Sequence, residues 1–299
     1  MLKQGYEEIK KIKRVRWLVF GIVLAQFASE LIMDALASFM ERPINPYLEI
    51  AIIEIFTFVI PISIYGKNFR QENNQIEELN MCRMKLSHIL LIIPLAVSGQ
   101  FIMQLLDVPG WLILNSLGRT AVTTVLPKTF GNVFLAIIAI GIIPAFLEEI
   151  WMRGIMFGVF NRISTYVAVM FTTIIFAILH VNPAEILGII FLGFMACALV
   201  IRTGSLYSAI LFHLIINISS IFATYGMENL ENANSIIILM ALSLIVFGIT
   251  FFVLLKTTRP MIYKKFRREK KMLASSLLSL PVLLSFILII IKIWLKGTL

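Results

Sequence analysis

Nine apolar runs alternate with short polar breaks along the chain, at 17–40, 48–65, 86–106, 131–158, 165–181, 185–201, 204–223, 235–255 and 273–291. A helix needs roughly 20 residues to cross the hydrocarbon of a bilayer, and most of these runs meet that length. The pattern predicts an all-α fold, a polytopic transmembrane helical bundle of eight to nine spans, with eight if the weak last run is dropped. The fourth run is long and has to tilt, kink or project from the membrane. Pro144 predicts a kink in it, just ahead of an acidic pair. The stretch 111–126, WLILNSLGRTAVTTVL, is apolar but short and interrupted, and is expected to form an interfacial or re-entrant helix. The longest polar interval, about 65–85, is too short to bury a core of its own. Residues 1–299 are therefore read as a single membrane domain with no soluble domain.

Composition agrees. The 299 residues are 59% hydrophobic and 14% charged, with a mean hydropathy of +0.93. A soluble domain is usually about 25% charged. The net charge of +9 would suggest nucleic acid on a soluble chain. Here no basic stripe is interleaved with exposed aromatics, so no nucleic-acid partner is expected, and the charge reads as the positive-inside bias of a membrane protein. With the N-terminus in the cytoplasm, all of the 26 Lys and Arg residues except Arg42, Arg119, Lys128, Lys292 and Lys296 fall on the cytoplasmic side. Membrane lipids are expected partners, since basic loops attract anionic headgroups. Cys82 and Cys197 form no C-x-x-C motif, and a disulfide is not expected. The first run follows a basic segment, is longer than the core of a signal peptide and contains Glu30 and Asp34. It reads as a retained span.

Polar residues inside the apolar runs change the picture. Glu148, Glu149 and Arg153 lie late in the fourth run, His180 closes the fifth, and His213 and Asn217 sit in the seventh. Ionisable groups in such positions are costly and mark function by default. Glu149 and Arg153 are four apart and share a helix face, so arginine can neutralise one acid while Glu148 points elsewhere. Phe176 and His180 share a face, as do His213 and Asn217. At 1.5 Å per residue, His213 and Glu148 both fall about 14–15 Å from the cytoplasmic end, and His180 about 23 Å. If they converge, two imidazoles and a carboxylate can hold Zn²⁺ with a position open to water. Without a metal, Glu148 and His180 can activate a water directly. Asn217 can ligate weakly or donate to a developing oxyanion. The H-E-x-x-H signature is absent. Glu30, Asp34 and Glu54 are further acids in early spans, to which the pattern assigns no role beyond lining a polar cavity.

Glu148-Glu149-x-x-x-Arg153, then Phe176-x-x-x-His180, then His213-x-x-x-Asn217 follow one another in the order of a known family. The chain resembles the CPBP intramembrane proteases, also called the CAAX prenyl protease type II or Abi family, over about 130–220. The resemblance implies an all-helical membrane fold with a catalytic cavity inside the bilayer. It implies an endopeptidase acting on membrane-embedded or lipidated peptides, including prenylated and bacteriocin-type substrates. Position by position, it makes Glu148 the water-activating acid with His180 assisting, and Glu149 a second acid partnered by Arg153. His213 and Asn217 complete a metal or oxyanion side, so a zinc site would draw on His180, His213, Glu148 and Asn217. Bacterial members linked to bacteriocin self-immunity or scaffolding supply a non-catalytic alternative. A transporter is a third reading, though the two halves show no internal repeat.

Overall fold

The computed structural model describes residues 2–41, 44–69, 81–118, 129–227, 233–260 and 269–295. Among these residues all regular structure is helical. The chain folds as α1 (Leu2–Met40), α2 (Pro46–Phe69), α3 (Leu86–Ser116), α4 (130–161), α5 (Thr165–Leu179), α6 (Ile186–Thr203), α7 (Leu206–Met227), α8 (Ala233–Thr257), α9 (Glu269–Leu277) and α10 (Leu280–Leu295). Seven helices are long and apolar enough to cross a membrane, or eight if the bent pair α9 and α10 counts as one span. Bare apolar faces, such as Ile237, Ile245 and Ile249 on α8, need no protein partner in hydrocarbon. The chain is a multi-pass membrane protein built as a polytopic helical bundle.

Four expectations change. The fifth run is helical for 15 residues only, to Leu179, and at 1.5 Å per residue its length of about 22 Å falls short of the roughly 30 Å hydrocarbon thickness. The ninth run breaks by 51° between Leu277 and Leu280. Residues 111–116 form no separate interfacial helix, because α3 continues through them to Ser116 despite Pro94 and Pro109. The rest of that stretch, 119–126, lies outside the described residues, as do Arg42, 70–80, Lys128, Glu228, Glu231, 261–268 and Lys296. Finally, α4 runs three residues further than its apolar run, to Asn161.

The described chain divides into two compact units. The first comprises residues 1–81, 147–181 and 262–299. Within it α1 packs on α2 and α10, and α5 packs on α9. Glu30 of α1 and Lys292 of α10 form an ion pair at 2.7 Å, which satisfies two charges that otherwise face hydrocarbon. Lys292 is thus buried. Asp34 is exposed.

The second unit comprises residues 82–146 and 182–261, with α3 packed against α6, α7 and α8. Asp107 of α3 accepts the Gly188 N–H at 2.7 Å, which satisfies an orphan donor in the first turn of α6. At the other end of α6, Arg202 donates to the carbonyls of Leu255 and Thr258 at the end of α8. Gly204 takes the left-handed conformation (φ 67°) that lets the chain reverse into α7. Ser205 Oγ then donates to the Cys82 carbonyl.

Candidate active site

The acidic pair sits where α4 changes its winding. Glu148 and Glu149 end an α-helical stretch, Ile143–Glu149, and Ile150–Met156 continues as a π-helix. Such segments concentrate at functional sites. Glu149 and Arg153 are both fully buried and paired at 2.8 Å. The Arg153 guanidinium also lies over the Phe176 ring, 4.4 Å from its centroid. The arginine therefore faces a carboxylate and an aromatic face, the two surroundings that best replace water around a guanidinium.

Phe176 extends the arrangement to the histidine. Its ring meets the His180 ring edge-on, with centroids 4.5 Å apart. Its carbonyl pairs with His180 Nδ1 at 2.8 Å. A carbonyl only accepts, so Nδ1 carries the proton, and in the neutral ring Nε2 keeps its lone pair. His180 Nε2 lies 3.9 Å from Glu148 Oε2. Both ends of α5 fix this placement. Ser164 caps the N-terminus by accepting the Val167 N–H, and His180 is the C-cap residue. Val181 follows with φ 52°. That is a rare conformation for a β-branched residue and costs about 1–2 kcal/mol.

Glu148 and His180 line a cavity of about 140 Å³ together with Gln26, Glu54, Thr57 and Phe176. At about 30 Å³ per liquid water, it has room for roughly four waters. Glu54 Oε2 and Thr57 Oγ1 are buried, with no hydrogen-bond partner among the described residues, so the wall is polar enough to hold water. The Glu148 side chain is 8% exposed and that of His180 29%, so the site is more open on the histidine side.

The structure thus brings together Glu148, Glu149, Arg153, Phe176 and His180. His213 and Asn217 lie on α7 in the second unit, and His213 is buried. Asn217 Nδ2 donates to the Ile140 carbonyl at 2.9 Å. In a regular α-helix that carbonyl would take its bond from residue 144, and residue 144 is proline, which has no N–H. The preceding segment, Ile137–Ile142, is wound as π-helix. Asn217 supplies the donor that Pro144 lacks, as polar side chains of neighbouring helices do for proline in membrane helices. A catalytic zinc ordinarily takes three protein ligands. Among the described residues no three His, Cys, Asp or Glu side chains form a group that could hold a metal ion.

Glu54 is the residue whose place the sequence pattern left open. Its signal was an acid in an apolar span, with Thr57 one turn further on the same face. In the structure it lines the same cavity as Glu148 and His180.

Two outcomes follow from these contacts. Arg153→Met strands the buried Glu149 charge and is expected to cost about 3–5 kcal/mol, whereas Arg153→Met with Glu149→Leu recovers most of it. Unfolding of the purified protein in detergent measures both, and equal losses would refute the pairing argument. Asn217→Leu leaves the Ile140 carbonyl unsatisfied, at a cost of about 1–3 kcal/mol. In a Pro144→Ala background, where residue 144 regains its N–H, the same substitution should cost clearly less. An identical cost in both backgrounds would assign Asn217 another role.

No curated protein and no solved structure matches the chain. One family does. Residues 130–219, which carry the acidic pair, Arg153, Phe176, His180, His213 and Asn217, match the family described as Rce1-like, the type II CAAX prenyl endopeptidases.

Proposed function

We propose that the protein is an intramembrane endopeptidase in which Glu148 and His180 activate a water against a peptide bond. The observation that carries this reading is the 3.9 Å approach of Glu148 Oε2 to His180 Nε2 on a polar-walled cavity. A water about 2.8 Å from each atom fits there as donor to both. As its oxygen bonds to the scissile carbonyl carbon, Glu148 takes one proton. His180 Nε2 accepts a hydrogen bond from the other O–H and orients the attack. When the C–N bond breaks, Glu148 returns its proton to the leaving amine, so its carboxylate is regenerated. Glu149 and Arg153 hold the helix and the Phe176 ring in place and take no proton.

The cavity is walled by apolar helices of a multi-pass membrane protein, which favours a substrate that reaches the site from the bilayer, a membrane-embedded or lipidated peptide. The steps use these side chains alone. Zinc stays an implication of the family resemblance, and no step is assigned to it.

The test is cleavage of lipidated and membrane-embedded peptides by the purified protein, with membrane proteomes of wild type and Glu148→Gln compared to find the natural substrate. Glu148→Gln and His180→Ala are each expected to lower the rate by at least about 100-fold with unfolding unchanged. Wild-type cleavage by both variants would sink the mechanism, and failure of the wild-type protein to cleave any of these peptides would leave the non-catalytic scaffold as the better reading.

We further place the N-terminus in the cytoplasm, on the distribution of Lys and Arg. Cys82 is exposed and Cys197 buried. A membrane-impermeant maleimide should label Cys82 in inside-out vesicles and spare it in right-side-out ones, and the opposite pattern would reverse the orientation.

A further inference from the structure

A second, larger recess lies in the first unit, away from the acidic pair. It has a volume of about 780 Å³, within the roughly 300–1,000 Å³ usual for ligand sites. Its walls are mostly apolar, with Ile12 of α1, Met272 of α9 and Leu280 of α10 among them, and Lys13 and Arg16 contribute cationic groups. Arg16 sends one guanidinium N–H to Ser276 Oγ at 2.8 Å. Its Nε is buried, with no hydrogen-bond partner among the described residues. Trp17 also lines the recess and is 45% exposed. A half-exposed tryptophan beside a basic cluster, where an apolar span begins, is the usual marker of headgroup depth. Lys270 and Lys271 immediately precede Met272 and are exposed, while Glu269 is engaged by Ser164 at 2.7 Å.

We propose that this recess binds an anionic glycerophospholipid, with its phosphate held between Lys13 and Arg16 and an acyl chain laid along the apolar wall. Charge complementarity selects the occupant. A zwitterionic lipid would bring a second cation to a mouth that already carries two, and an apolar peptide would leave both cations without a counter-charge. The inference is independent of the peptidase reading and stands or falls separately.

The test uses the purified full-length protein in neutral detergent, offered equal amounts of phosphatidylglycerol and phosphatidylcholine, with bound lipid read by native mass spectrometry. Phosphatidylglycerol should be preferred. Lys13→Gln and Arg16→Gln should each weaken it about fivefold, and together about thirtyfold, as expected for the ~1 kcal/mol each basic group contributes near anionic headgroups. Lys13→Arg should retain binding. Ser276→Ala checks that any Arg16→Gln effect does not come from the lost serine contact, and should bind as wild type. Equal retention of the two lipids, or undiminished phosphatidylglycerol binding by the double variant, would overturn the proposal. Release of bound lipid by soluble glycerophosphate at equal concentration would overturn the acyl-chain part, because it would show a simple anion site.

Discussion

The buried ion pair of Glu149 and Arg153 is the constraint on which the rest of the site depends. Two full charges inside a membrane protein must be paired. Arg153 meets that demand with the Glu149 carboxylate on one side and the Phe176 ring on the other. The same ring contacts His180, and the same residue's carbonyl orients that imidazole. A requirement of electrostatics on α4 therefore sets the position of a histidine on α5. Glu148, one residue before the neutralised acid, is left to face the cavity.

The helix that carries the acids is irregular for reasons that can be traced residue by residue. Pro144 removes a backbone donor four residues before Glu148, and α4 winds as π-helix both ahead of the proline and after the acids. Unpaired backbone groups cannot be left in hydrocarbon. Asn217 answers the gap at Ile140. A residue that a motif comparison places on the metal or oxyanion side thus has a backbone to complete. The Glu30–Lys292 pair obeys the same rule with side chains, as two charges that share one bilayer-depth contact.

Much of this was legible in the chain. Apolar run lengths identified most spans, and the i, i+4 spacings of Glu149 with Arg153 and Phe176 with His180 placed each pair on one face. Run length misled where hydropathy does not mark where a helix ends. The fifth run stays apolar past the point where α5 stops, and α4 continues beyond its apolar run to Asn161. The longer α4 removes most of the apparent depth mismatch between Glu148 and His180. Counted to Asn161, Glu148 lies about 20 Å from the end of its helix, against about 23 Å for His180 along α5. Side chains lean toward the N-terminus of their helix, so in two helices of opposite direction these two lean toward each other.

The sequence by itself determined that this is a membrane helical bundle, that its charged exceptions are paired by helical spacing, and which family segment they resemble. Those properties are local, set by hydrophobicity and by a period of 3.6 residues. Only the tertiary structure decided that Glu54 shares a cavity wall with Glu148 and His180, that Lys292 pairs with Glu30, and that Asn217 completes the backbone at Ile140. Each of these joins helices far apart in sequence, and no period along one helix specifies which face of another it will meet.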